Sequence, residues 1–195
     1  MPCFTSGTLI ATPTGERRVE TLLAGDKVLT RDNGVQALRW VGTAKLDYAR
    51  LVAEPHLKPV LLSADGLGKA RPENDMLVSP NLRVLVTADR TALELEDHEA
   101  LIAAKHLTNN RDIRVVTMLG ISYIALICAR HEVVMANGIW VESFNPADHS
   151  LNGLGNAQRC EIEALFPGLT EELPAVAASG VGARLRRMRL SFLPR

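Results

Sequence analysis

From Thr8 to Phe144 the apolar residues fall in short, loosely alternating runs, and nearly every run ends at Gly, Pro, Asn or Asp. That is the pattern of half-buried β-strands joined by tight turns. Thr8 to Thr12 is the first run, and Pro13-Thr14-Gly15 turns into a second that holds Val19. Ala24-Gly25-Asp26 precedes a third, Val28 to Thr30. Asp32-Asn33-Gly34 is a strong turn signal, so Val35 to Lys45 is expected to return as the hairpin partner of Lys27 to Arg31. Gly15 and Gly25 stand where such bends need a positive φ or a close approach.

Further along, Asp47 to His56 has no clear period, and Lys58 to Ser63 reads as a strand. After the Gly/Pro/charged loop from Gly66 to Asp75, Met76 to Ser79 and Arg83 to Thr87 are β runs broken by Pro80-Asn81. Pro80 has no N–H to give a ladder, so a bend fits better than one continuous strand. Ala88 to His98 is a polar connection, and Glu99 to Leu107 suits a helical turn or a strand equally. Ile113 to Met118, Ile121 to Ala129 and Glu132 to Ala136 are three β-rich runs. Asn137-Gly138 is a type I′ hairpin dipeptide, from which Ile139 to Phe144 returns. About ten short strands at this spacing predict an all-β body.

The character changes after Pro146. Asn156 suits the N-cap of a helix through Phe166, with Ile162, Leu165 and Phe166 on one side and Pro167-Gly168 as the stop. Thr170 to Gly182 has the composition of a linker, and ARLRRMRLSFLPR is a basic tail, read as a solvated or docked segment. The expected division is therefore a β domain over 1–146, a helical extension over 147–169, and a linker with basic tail over 170–195.

Composition narrows the function classes. With 195 residues and 47% hydrophobic side chains the chain can bury a substantial core. Lys+Arg and Asp+Glu are both 22, a formal net charge of zero, which argues against broad electrostatic binding of nucleic acid or a membrane surface. Aromatics are only 4%, too few for interleaved stacking platforms. No apolar run is long enough to span a bilayer and no standard signal peptide opens the chain. The compartment stays open between the cytoplasm and non-classical export.

Cys3, Cys128 and Cys160 lie far apart, with no CxxC or Cys/His pair at metal-ligand spacing, so neither a metal nor another cofactor is expected. Cys128, inside ISYIALICA, reads as a buried hydrophobe, and Cys160 as one side of the helix. Cys3 is the cysteine in a setting where a thiol can be used.

Five pieces taken in order, CFTSGTLIATPTGERRVETLLAGDKVLTRD, QALRWVG, LVSPNLRVLV, AAKHL and HEVVMANGIWVESF, resemble the Hint (hedgehog/intein) superfamily, and most nearly its bacterial stand-alone or toxin-associated branch. The match runs from about Cys3 to Phe144, and the following segment ending in LFPGL also looks like that branch. The resemblance implies a flat, horseshoe-shaped all-β fold with pseudo-twofold symmetry. It also implies a reaction on the protein's own chain. The first cysteine attacks the carbonyl before it to make a thioester, which a second nucleophile resolves.

Such chemistry needs a thiolate from a thiol of reference pKa about 8.5, a polarised amide, and an acid to protonate the leaving α-amine. Carried over, Cys3 is the nucleophile and the Pro2 carbonyl its target. The family's TxxH element matches Ser79-Pro80-Asn81-Leu82, so Ser79 is the orienting hydroxyl and Leu82 stands where histidine is expected. In SYIALICARHE, Ala125 and Ala129 replace a histidine and an aspartate. Glu142-Ser143 replaces the terminal His-Asn of splicing relatives, which excludes asparagine cyclisation there. His131 is the candidate substitute acid/base, beside its reading as a hydrogen-bonded structural histidine. His106 is expected to be structural, and His56, His98 and His149 to be exposed. Only Met1 and Pro2 precede Cys3, so cleavage would release at most a dipeptide: either the sequence is part of a longer chain, or the module has no cargo to process. Together these departures predict a degenerate module retained as a β scaffold or protein-interaction domain; the alternative is thioester-forming cleavage at Cys3 without splicing.

Overall fold

The computed structural model describes residues 2–87 and 99–144. Thirteen strands form among them. The first half of the chain supplies β1 (Phe4–Thr5), β2 (Leu9–Thr12), β3 (Gly15–Arg18), β4 (Lys27–Thr30), β5 (Gly34–Asp47) and β6 (Val60–Leu62). Then come β7 (Met76–Val78), β8 (Arg83–Thr87), β9 (Glu99–Ala103), β10 (Ile113–Val115), β11 (Gly120–Cys128), β12 (Val133–Ala136) and β13 (Ile139–Glu142). They join in one antiparallel sheet, ordered β10-β6-β7-β1-β11-β5-β4-β12-β13-β8-β9, with β2 paired to β12 and carrying β3. The sheet curls into a half-barrel, which is the expected all-β architecture.

The local turn signals act as read. Gly15 and Gly25 take φ of 112° and 93°. Thr30 faces Gly34 across the β4–β5 hairpin. Asn137 and Gly138 both have positive φ, and β12 and β13 pair tightly around them from Ala136↔Ile139 to Val133↔Glu142. The Asn137 carboxamide oxygen also accepts the Leu9 N–H at 2.8 Å, which ties this hairpin tip to β2.

Two stretches that periodicity left open resolve differently. Asp47 caps a short helix, α1 (Tyr48–Ala53), by accepting the Arg50 N–H at 2.9 Å. Glu99 to Leu107 is β9 followed by a 3-10 turn, Ala104–His106. The three runs between Ile113 and Ala136 do not form a meander: β10 pairs with β6, β11 with β1 and β5, and β12 with β13, β2 and β4. The polar connection Ala88–His98, the helix expected at 156–166 with Cys160, the linker, the basic tail and His149 lie outside the described residues.

The longest ladder, β5 with β11, separates two apolar faces because side chains alternate along each strand. One face joins Phe4, Ile124, Leu126, Leu38 and Cys128 to the main core, a cluster of 21 buried residues. The other gathers Cys3, Ala44, Leu46, Tyr123, Ala125 and Ile127, with Leu51, Leu57 and Phe144, into a second cluster of nine. Most of the burial that holds the fold therefore lies on the first face, and Cys3 lies on the second.

Candidate functional site

Pro2 and Cys3 are buried and lead directly into β1, a two-residue strand held between β7 and β11. Phe4 faces Val78 on one side and Ile124 on the other. Beyond that pair, Ser79 closes on Cys3 in both directions. The Cys3 N–H donates to the Ser79 hydroxyl at 2.8 Å, and the Ser79 N–H donates to the Cys3 carbonyl at 3.0 Å. Ser79 can offer both groups because the chain bends there: Pro80 disfavours a helical Ser79, and the Leu82 N–H closes the turn on the Ser79 carbonyl at 3.1 Å. The amide that joins Pro2 to Cys3 thus has its N–H on a buried hydroxyl.

Around the thiol the sheet supplies apolar side chains. Cys3 is only 2% exposed. Ala125, one residue after the Ile124 that faces Phe4 in the antiparallel pair, stands across from Cys3 and is fully buried in its cluster. Tyr123 donates its hydroxyl to the Leu57 carbonyl at 2.7 Å. Burial, and then the charge of a Cys3 thiolate, push the Tyr123 phenol well above its ordinary range, so it stays protonated. Phe144, the last described residue, packs in the same cluster and donates its N–H to the Leu126 carbonyl at 2.9 Å. Cys3 and Phe144 therefore share one buried cluster.

The positions that should carry protons are accounted for. Leu82 is fully buried, and its side chain belongs to the main core rather than to the cluster of Cys3. Ala129 is half-buried just past β11. His131 sits before β12 with Nε2 3.2 Å from Glu142 Oε2. Val133 faces Glu142 and Val141 faces Val84, so β12 and β8 deliver His131 and Arg83 to one carboxylate from opposite sides. Glu142 Oε1 accepts the Arg83 Nε–H at 2.7 Å and the Arg83 backbone N–H at 3.2 Å, and Glu142 is 2% exposed. Of the three candidate residues, the structure joins Cys3 to Ser79 and sets His131 on Glu142.

A second buried carboxylate adjoins this group. Glu132 accepts both Asn33 Nδ2 contacts, at 3.0 and 2.9 Å, and its backbone N–H donates to the Ser143 hydroxyl at 3.1 Å. Cys128 lies close by, and burial followed by the Glu132 charge pushes its thiol up to about 12 against a smaller lowering by Ser143. It is a buried core thiol, as its apolar run implied. His56 and His106 are exposed. Neither Glu132 nor Glu142 was singled out from sequence as a buried group. The signal in the sequence was a carboxylate at one end of each of two otherwise apolar runs, Glu132 opening one and Glu142 closing the other.

A surface cleft of about 860 Å³ runs past Thr5, Lys45, Arg50, Met118, Leu119 and Ser122, and neither Cys3, Ser79 nor His131 lines it. Among the described residues no three His, Cys, Asp or Glu side chains gather as metal ligands, and no helix is long and apolar enough to cross a membrane.

A family model described as Hint domain matches residues 2–148. Among solved structures, the chain is similar to a DnaB intein from Synechocystis sp. PCC 6803 (13% identity, 74% of this chain and 100% of that one, TM-score 0.48). It is also similar to a bacterial intein-like domain from Clostridium thermocellum (12% identity, 74% and 99% covered, TM-score 0.42). The Ssp DnaB mini-intein variant M86 is a third (16% identity, 73% and 94% covered, TM-score 0.43). A search of curated proteins returns no match.

Proposed function

The chain belongs to the Hint domain family, and on that premise we propose that it is a degenerate self-processing module, serving as a β scaffold or protein-interaction domain. The observation that carries this reading is the pair of apolar side chains where proton carriers are expected. Ala125 stands across from Cys3, and Leu82 is sealed in the main core. An N–S acyl shift needs the thiol proton removed and the leaving α-amine protonated, and losing one positioned acid or base slows such a step by roughly 10²–10⁴-fold. Neither alanine nor leucine can take part.

One observation favours a second reading, thioester-forming cleavage at Cys3 without splicing. The Cys3 N–H rests on the Ser79 hydroxyl at 2.8 Å, which fixes the amide that would break. In that reaction Cys3 Sγ bonds to the Pro2 carbonyl carbon, the carbon–nitrogen bond to Cys3 breaks, and the thiol proton ends on the freed α-amine. Water or an external thiol then takes the acyl group and returns the thiol. His131, oriented by Glu142, would be the acid/base of this version, and the module would act on its own chain.

The test is a reporter domain fused ahead of the full chain, incubated with and without dithiothreitol or hydroxylamine and followed by mass. The degenerate reading expects an intact fusion after days. Release that disappears in Cys3→Ala would overturn it and establish the cleavage reading.

A further inference from the structure

Arg83 opens β8, and the bend that holds Ser79 runs directly into it. One side of this stretch is held by backbone groups. Arg83 faces Ala103, the Ala104 N–H donates to the Leu82 carbonyl at 2.9 Å, and the Lys105 N–H donates to the Pro80 carbonyl at 3.0 Å. On the other side β8 faces β13, and the register Val84↔Val141 sets Arg83 opposite Glu142. There a side chain takes over from the ladder. Glu142 Oε1 accepts the Arg83 backbone N–H at 3.2 Å and the Arg83 Nε–H at 2.7 Å.

The other end of the same bend meets Cys3. The Leu82 N–H closes on the Ser79 carbonyl at 3.1 Å, the Ser79 N–H donates to the Cys3 carbonyl at 3.0 Å, and the Ser79 hydroxyl accepts the Cys3 N–H at 2.8 Å. One short turn therefore connects the Glu142 carboxylate to the Cys3 amide, and both ends of the path are buried. A hydrogen bond weakens steeply as its distance and angle open, so a drift at Arg83 bears on whether Ser79 reaches Cys3. Glu142 Oε2 carries His131 at 3.2 Å. The pairs Cys3–Ser79 and His131–Glu142 thus belong to one connected unit.

We propose that Glu142 is a positioning residue for the Cys3 amide. By anchoring the Arg83 N–H it fixes the turn over 79–83 where the Ser79 hydroxyl meets the peptide bond before Cys3. It acts through Arg83 and Ser79 and not on the thiol. This rests on reading Ser79 as the residue that holds that amide, and it stands whether or not cleavage occurs. Because the anchor is a side chain, a substitution at 142 removes it while the backbone bonds from Ala104 and Lys105 stay.

Amide hydrogen exchange of the folded full chain tests this, read at Cys3 against the amides of the β5–β11 ladder, which report general opening. Glu142→Met keeps a straight side chain and removes the acceptor. It should speed exchange at Cys3 about fivefold or more beyond any change in the ladder, within the coupling that members of one hydrogen-bond network show. Glu142→Gln keeps an oxygen that the Arg83 N–H can use and should restore most of the protection. In a Ser79→Ala background Glu142→Met should give no such excess, since no hydroxyl is left to position. If Glu142→Met does not fold, Arg83→Ala takes its place: it leaves the carboxylate only the 3.2 Å backbone bond and should give a smaller excess at Cys3. No excess at Cys3 in folded Glu142→Met, or in Arg83→Ala where that variant fails to fold, overturns the positioning role. So does an undiminished excess in the Ser79→Ala background. Cleavage is not read in this experiment, so failure of the positioning role leaves the proposed function standing, and failure of the fusion test leaves the positioning role standing.

Discussion

Two buried settings meet near the end of β13, and they are partnered in opposite ways. Around Glu142 the carboxylate takes His131 on one oxygen and Arg83 on the other, and nearby Glu132 is held by Asn33. Around Cys3 most side chains are apolar, with the Tyr123 phenol in the same cluster, and Ser79 brackets its backbone with two hydrogen bonds. Buried ionic groups need such partners, because an uncompensated charge away from water costs several kcal/mol. The chain's proton-carrying residues in this region thus hold one another and the fold. The thiol has a cradle that positions its amide and, at 82 and 125, nothing that moves a proton. The difference separates placement from chemistry, since a fold can retain the first after losing the second.

The largest effect should come from placing a proton carrier at residue 82, in the main core. Leu82→His would put an imidazole into the main core, where Leu82 is fully buried. Lost packing and an unpaired buried polar ring together should cost about 3 kcal/mol or more, read as a shift in the urea midpoint. A loss below about 1 kcal/mol would mean that residue 82 can turn toward Cys3, and the contrast between the clusters would fail. Next in size is Arg83→Ala, which removes the guanidinium from Glu142 and leaves that buried carboxylate with His131 and the backbone N–H of residue 83. Breaking a buried pair typically costs about 3–5 kcal/mol. Because the Arg83 side chain is 39% exposed, about 2–3 kcal/mol is expected here. An unaffected midpoint would demote the Glu142 cluster to decoration.

How much of this was legible beforehand follows from the range of the interactions. Asn137-Gly138, Asp32-Asn33-Gly34 and the Pro80 bend could be read because turn chemistry is local. The two residues of β1 could not be placed between β7 and β11, nor β10 against β6, because strand pairing at long sequence separation leaves no local mark. The Cys3–Ser79 contact spans 76 positions, and the two residues came together in the sequence only through the Hint resemblance. Glu142 was missed as a buried group because a carboxylate at the end of IWVE reads as facing water. Only the pairing of β13 with β12 and β8 brings His131 and Arg83 to it.

The alkaline limb of stability sharpens the contrast further. The folded-state pKa of Cys128 is raised to about 12 from a model-compound 9.0. Its folded form therefore holds a proton that the unfolded chain releases. This contribution is fully present below pH 9 and is lost as pH climbs from there toward 12, at up to about 1.4 kcal/mol per pH unit. Tyr123, raised by burial, adds to the same direction. Cys128→Ala should flatten the slope of urea stability between pH 9 and 11, after allowing for its own lost packing. An unchanged slope would place the alkaline sensitivity in the Cys3 cluster instead.

The smallest expected effect bears most directly on the cradle. Ser79→Ala removes the hydroxyl that accepts the Cys3 N–H and leaves that donor buried, which should cost about 1–2 kcal/mol. The same loss could come from any buried serine, so stability alone does not distinguish a cradle from ordinary packing. Hydrogen exchange at the Cys3 amide does. With the hydroxyl present the N–H is protected by a 2.8 Å bond; without it, exchange at Cys3 should quicken more than at Phe4, whose strand pairing to Val78 and Ile124 does not involve the hydroxyl. Ser79→Thr keeps the oxygen and should restore protection. If the Cys3 amide stays equally protected in Ser79→Ala, burial alone shields it. The peptide bond before Cys3 would then have no dedicated partner, and the last trace of processing geometry would go with it.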